Sequence, residues 1–169
     1  MRISISGTPG TGKSSVSKVL SKRLGFNLVD LNSLAEEKGL YCGLDRSRET
    51  KIVDVEKIEK EVDKIKGNVI LDGHYSQDIP NDLTVVLRCN PRELRKRMNE
   101  KGWGERKIEE NIQAEIMEIC LDEARILKRK VIEIDTTGSS PGTAAKKIIS
   151  FLKQYKLWKL WSPTKSSKK

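Results

Sequence analysis

Apolar positions along this chain fall into short runs that alternate with helical stripes. Ile3-Ser4-Ile5-Ser6 has the period of a strand, and Val16, Val19, Leu20 and Leu24 follow at the spacing of one helix face. Asn27 to Val29 reads as a second strand, and Asp30 as the N-cap of a helix from Leu31 to Lys38. A polar segment, Gly39 to Thr50, reads as a loop, followed by a helix from about Asp54 to Lys66 and a buried strand, Val69-Ile70-Leu71, ending at Asp72. Leu83 to Leu87 is the fourth strand, and Pro91 suits the first turn of a helix ending near Lys101. Beyond the break Gly102-Trp103-Gly104, the residues Ile108, Ile112, Ile116, Ile119 and Leu127 predict one face of a single long helix. Lys130 to Asp135 is the fifth strand, and Pro141 opens the last helix.

Regular alternation of strand and helix predicts an α/β fold of three layers, with a five-stranded parallel sheet between two helical layers. Ligands of such sheets bind beyond the carboxyl ends of the strands. The 169 residues suit one domain. No run of about 20 apolar residues is present, and Met1-Arg2 leads straight into a strand, so a cytoplasmic protein without membrane contact is expected. Cys42, Cys89 and Cys120 are far apart and odd in number, which predicts neither a disulfide frame nor a zinc site. The formal charge of +9 invites a polyanionic partner and serves solubility equally well.

Chemistry enters at Gly7-Thr8-Pro9-Gly10-Thr11-Gly12-Lys13-Ser14, between the first strand and first helix. The spacing G-x-x-x-x-G-K-[ST] turns backbone amides around a phosphate, brings Lys13 to the β and γ oxygens and places the Ser14 hydroxyl on Mg²⁺. The positive end of the following helix favours the same anion. The P-loop NTPase fold and Mg-ATP are therefore expected. Strand ends supply the other candidates: Asp72 for the Mg²⁺ shell, His74 for a phosphate or an attacking water unless it is simply exposed, and Arg88 for the transferring phosphate. Arg92, Arg95 and Arg97 decorate the helix after Arg88. Two segments can act as covers: Gly39 to Thr50, with Asp45-Arg46-Ser47-Arg48, over an acceptor, and Lys101 to Lys107 over ATP.

Taken together these residues resemble the adenylate kinase isoenzyme 6 family, P-loop nucleoside monophosphate kinases also linked to small ribosomal subunit maturation. The resemblance runs from about Arg2 to Leu127 and rests on residues 7 to 15, Asp54, Leu71-Asp72-Gly73-His74, Leu87-Arg88, Lys101-Gly102-Trp103 and Asn111-Ile112-Gln113-Ala114-Glu115-Ile116. It implies nucleotide binding by Gly7, Gly10, Thr11, Gly12, Lys13, Ser14 and Ser15, an acceptor segment over 30–53 and a short lid over 100–110. It divides the chain into a kinase domain over 1–155 and a basic tail over 156–169. Asp30, Arg46, Arg48, Asp54, Arg88 and Arg92 are the acceptor-side candidates, and Lys101 or Arg106 supplies the lid cation. Lys101 stands where the family usually has arginine, and Glu36 where an arginine often precedes the acidic acceptor segment.

The expected reaction is phosphoryl transfer from Mg-ATP to AMP, with dAMP or CMP as further acceptors, by a monomer rather than an oligomer. A monophosphate has a second pKa near 6, so its oxygen needs no general base at neutral pH. A sugar- or shikimate-type kinase would need a carboxylate to take a hydroxyl proton, and Asp30 or Asp54 can fill that role. An ATP-driven assembly factor is the reading from another class; ATPase activity and contact with a small-subunit ribosomal protein or rRNA belong to it. Lys153 to Lys169 holds six lysines and no acid, interleaved with Tyr155, Trp158 and Trp161. That tail suits RNA binding, packing of the last helix, or a membrane surface.

Overall fold

The computed structural model describes residues 1–46, 50–127 and 130–155. Five strands, β1 (Arg2–Ser6), β2 (Asn27–Asp30), β5 (Val69–Asp72), β6 (Leu83–Arg88) and β7 (Val131–Asp135), form one parallel sheet in the order β2-β5-β1-β6-β7. The expected α/β architecture is present. Between the strands lie α1 (Lys13–Leu24), α2 (Leu31–Lys38), α3 (Val55–Asp63), α4 (Pro91–Glu100), α5 (Glu105–Ile116), α6 (Ile119–Ile126) and α7 (Pro141–Gln154).

Both sheet faces are covered, which is why β5 and β6 are apolar at successive positions. Ile70, Val85 and Leu87 join Val16, Leu20, Ala144, Ile148 and Leu152 in the core under α1 and α7. Val69 and Leu71 point the other way, onto Leu31, Ala35, Ile58 and Val62 of α2 and α3. β1 keeps this rule on one face only: Ile3 and Ile5 are fully buried, and so are Ser4 and Ser6. Their hydroxyls are satisfied within the protein, Ser4 with Ser76 Oγ at 2.6 Å and Ser6 with Gln77 Oε1 at 2.6 Å.

Two expectations are corrected. The polar segment from Gly39 to Thr50 is not a plain loop: β3 (Tyr41–Asp45) and β4 (Thr50–Val53) pair antiparallel as a two-stranded sheet apart from the main one. The single long helix is two helices. Glu118 has φ 56°, in the left-handed region that breaks a right-handed helix. Beyond it α6 buries Leu121 and Ala124, while Ile116, Ile119 and Leu127 are exposed instead of completing the stripe begun by Ile108 and Ile112.

Candidate active site

The loop between β1 and α1 is shaped by the contacts its glycines permit. A Cβ on Gly7 would meet the Leu87 carbonyl oxygen at 2.4 Å, so only glycine lets the loop cross the end of β6 this closely. Gly12 ends the loop at φ 99° and begins α1 without a side-chain cap or an acid in the first turn. The helix therefore presents amides and its positive dipole end to an anion. Lys13 Nζ donates to Gly7 O at 2.7 Å and Thr8 O at 3.2 Å, leaving a third N–H. Burial lowers the pKa of this ammonium, an effect opposed by the nearby Cys120, Asp72 and Glu115.

Asp72 ends β5 beside the loop, in register with Ile5 of β1 and Asp30 of β2. It is buried, and burial pushes its carboxyl above the ordinary carboxylate value although Ser14 and Lys13 pull it down. Its Oδ1 has no hydrogen-bond partner within the protein. An orphaned buried carboxylate oxygen next to a serine hydroxyl is the donor chemistry of Mg²⁺, which takes one or two protein oxygens and fills its shell with phosphate and water. Among the described residues no group of three or more His, Cys, Asp or Glu forms a separate metal site. Ser14 and Asp72 thus fit the cation they were expected to hold.

Clefts open on either side of this centre. One, of about 350 Å³, is lined by Gly10, Thr11, Gly12 and Ser15, by Arg97 and Lys101 of the α4 end, and by Thr136 to Pro141 after β7. Thr136 organises that wall: its Oγ1 lies 2.9 Å from both Thr11 O and Arg88 O, and its carbonyl accepts from Arg97 Nη2 at 3.0 Å. The other cleft, of about 670 Å³, lies toward the β2 edge between α2, the β3–β4 hairpin and the turn after β5; Glu36, Tyr41, Lys51, His74 and Tyr75 line it. Lys51 Nζ stands 4.8 Å from the Tyr41 ring centroid. His74 lines this cleft with an exposed side chain, and partial desolvation together with Lys13 lowers its pKa from the ordinary imidazole value.

The remaining candidates fall in different places. Asp30 caps α2, accepting from Asn32 N and Ser33 N at 3.0 and 3.1 Å. Asp54 caps α3 through Lys57 N and ion-pairs with Lys57 at 2.9 Å. Arg46 is exposed at the end of β3, and Arg92 is exposed in the first turn of α4. Arg48 and the tail over 156–169 lie outside the described residues. Lys101 borders the smaller cleft, whereas Arg106 is 82% exposed and paired with Glu110, so of the two expected lid cations Lys101 is the one that lines this cleft.

Arg88 ends β6 as expected and is heavily engaged. Burial opposes its charge, but Glu115 and Glu118 more than compensate and hold it protonated. Its Nε donates to Glu115 Oε1 at 2.7 Å, Nη2 to Glu115 O at 3.0 Å, and Nη1 reaches Glu118 at 2.9 Å and Glu133 at 3.3 Å. Glu115, 3% exposed, was not among the site candidates read from sequence, although it stands in the stretch Asn111 to Ile116 that carries the resemblance and is an acid on the predicted apolar side of its helix. Cys120 is a second unanticipated neighbour of Lys13 and Thr8, and burial pushes its thiol up, keeping it neutral.

Comparison with known proteins agrees with this geometry. The AAA domain family matches residues 3–118. A protein of Methanocaldococcus jannaschii described as "Putative adenylate kinase" is 42% identical over 159 residues, covering 92% of this chain and 88% of its own. One of Thermococcus onnurineus with the same description is 39% identical over 155 residues, covering 90% and 84%. In fold, the chain is similar to shikimate kinase from Acinetobacter baumannii in complex with shikimate (TM-score 0.68, 17% identity, 92% of this chain and 94% of that one). It is also similar to deoxyadenosine kinase from M. mycoides (TM-score 0.61, 18% identity, 92% and 100%). At these identities the likeness is one of fold.

Proposed function

Since this chain belongs to the AAA-domain, adenylate-kinase-like family of P-loop proteins, we propose that it transfers the γ-phosphoryl group of Mg-ATP to a nucleoside monophosphate, AMP first, with dAMP and CMP as further acceptors. The observation that carries the reading is the pair of clefts, one lined by Gly10, Thr11 and Gly12 of the phosphate loop and the other by His74, two residues beyond Asp72. A donor nucleotide placed with its phosphates on the loop has its nucleoside in the cleft of Arg97, Lys101 and Thr136. An acceptor placed between Tyr41, Lys51 and Tyr75 reaches the same centre from the other side. Two nucleotides approaching a phosphate loop from opposite flanks have the in-line geometry that transfer requires.

Each residue then has a task that its place supports. Lys13 exchanges its loop carbonyls for the β and γ oxygens, and the α1 amides hold the charge that develops during transfer. Bound Mg²⁺ would neutralise and orient the β and γ phosphates, with Ser14 and Asp72 as its protein oxygens. Lys101 closes the nucleoside side as part of the lid over 100–110, and the hairpin within 30–53 closes the acceptor side. Lys51 is the cation of the acceptor cleft among the described residues, with Arg46 near the hairpin tip; Arg88 offers the acceptor phosphate its one uncommitted N–H. Asp30 and Asp54 serve the acceptor side through the helices they cap, and Arg92 through the charge it adds at the start of α4.

A second reading rests on His74. A neutral imidazole beside the phosphate site can orient water, which supports ATP hydrolysis and an assembly-factor role at the small ribosomal subunit in the cytoplasm. The +9 charge and the lysine-rich sequence from Lys153 onward support the rRNA contact of that role.

Purified protein should be given Mg-ATP alone and then with AMP, dAMP, CMP, UMP or GMP, with diphosphates and free phosphate measured separately. ADP formation that needs AMP supports transfer and ranks the acceptors. Free phosphate released at one rate with or without any monophosphate overturns transfer in favour of the ATPase. Binding to small-subunit rRNA at graded salt tests the ribosomal role, which fails if no affinity survives physiological ionic strength.

A further inference from the structure

The sequence Asn111 to Ile116 helps to identify the chain's kin but has no part in the chemistry described above. The structure places one residue of it, Glu115, at a junction. Its Oε2 accepts from Thr8 Oγ1 at 2.5 Å, and its Oε1 accepts from Arg88 Nε at 2.7 Å and from Cys89 N at 3.0 Å. Thr8 belongs to the phosphate loop and offers its carbonyl to Lys13; Arg88 ends β6, the neighbour of β1, and Cys89 follows it. Glu115 itself rides on α5, which begins at Glu105 inside the lid segment and runs about 18 Å at 1.5 Å per residue. At the lid end Trp103 packs against the core cluster that includes Met98 and Ile108, with Lys107 Nζ 4.4 Å from its ring centroid. A side chain this buried is costly unless its oxygens are satisfied, so these contacts form or fail together.

We propose that Glu115 is a positioning residue that couples the lid to the phosphate loop, tying Thr8 to Arg88 from the far end of the helix that starts in the lid. A rigid helix pinned at one end to the loop transmits a shift of the loop to Trp103 at the other. Nucleotide arriving on the loop draws Lys13 from the Thr8 carbonyl, and Thr8, held by Glu115, carries the change into α5. The inference rests on the reading of the loop as a nucleotide site, and the test below separates the two.

The chain has three tryptophans, so replacing Trp158 and Trp161 by phenylalanine leaves Trp103 as the only reporter. Mg-ADP is titrated into this background while Trp103 emission is followed and affinity is measured independently by calorimetry. The expected result is a Trp103 change that saturates with the calorimetric affinity. In Thr8→Val, which keeps shape and loses the hydroxyl, and in Glu115→Gln, which loses the charge, that change shrinks severalfold while affinity falls by about tenfold at most. Thr8→Ser restores the response, and the double variant is no worse than Glu115→Gln alone, because the two act through one contact. The proposal is overturned if Trp103 does not respond in the parent, if both single variants keep the full response, or if their effects multiply. Thr8→Val decides the matter by itself should Glu115→Gln fail to fold. Absence of any calorimetric binding in the parent defeats the nucleotide reading instead.

Discussion

Asp72 is a single residue held at a cost to stability, as the proposed cation-binding role requires. Burial without a partner for Oδ1 disfavours its charge, and the folded-state pKa lies above that of the unfolded chain. The folded protein therefore binds the proton more tightly, and the Asp72 contribution to stability falls as pH rises from the ordinary carboxylate value through the raised one. Asp72→Asn removes that charge. It should raise the melting temperature of nucleotide-free protein at pH 7, lose the gain below the ordinary carboxylate range, and weaken Mg²⁺-dependent ATP binding. A variant less stable at pH 7 with unchanged Mg²⁺ dependence would remove Asp72 from the cation's shell. The place of Asp72 at the end of a buried strand was legible in the sequence because the apolar run before it is local. Glu115 was not, because its meaning depends on Thr8, 107 positions away, and no pattern within one helix carries that contact.

At the scale of elements, strand and helix alternation is written in the periodicity of the apolar residues, and the five parallel strands follow it. The failures have physical causes. Tyr41-Cys42-Gly43-Leu44-Asp45 has a poor strand signal because the hairpin packs few side chains: Leu44 is 59% and Ile52 48% exposed, and its register shifts between Tyr41 and Gly43. The α5–α6 break escaped because isoleucines at 108, 112, 116 and 119 satisfy a helical stripe, while the left-handed Glu118 carries neither glycine nor proline to announce it. The hairpin and the end of α4 also carry testable roles. Lys51→Ala in β4 should raise the KM for AMP by about tenfold, as expected for one lost charge-assisted contact, and leave the KM for ATP within twofold or so. Equal effects on both substrates would put Lys51 outside the acceptor cleft. Lys101→Arg, at the α4 end, supplies a planar fork where a point charge now stands and should lower the KM for ATP severalfold. Unchanged kinetics would show that Lys101 is not the clamp.

For the whole molecule, sheet order does the positioning. The phosphate loop follows the central strand β1, with β5 and β2 leading to the hairpin cleft and β6 and β7 to the cleft at Thr136. Clefts on opposite flanks of one loop are thus a consequence of strand order, which composition alone does not show and which emerges from connection rules applied to the alternation. The net charge of +9 belongs to this scale too, as a field that draws polyanions, nucleotides included, toward the site. The central claim is transfer between two bound nucleotides, and the stoichiometry of turnover tests it most directly. With saturating AMP and Mg-ATP, phosphorus NMR should show two ADP formed for each ATP consumed and no accumulation of free phosphate. One ADP and one free phosphate per ATP, with AMP left intact, would contradict the account.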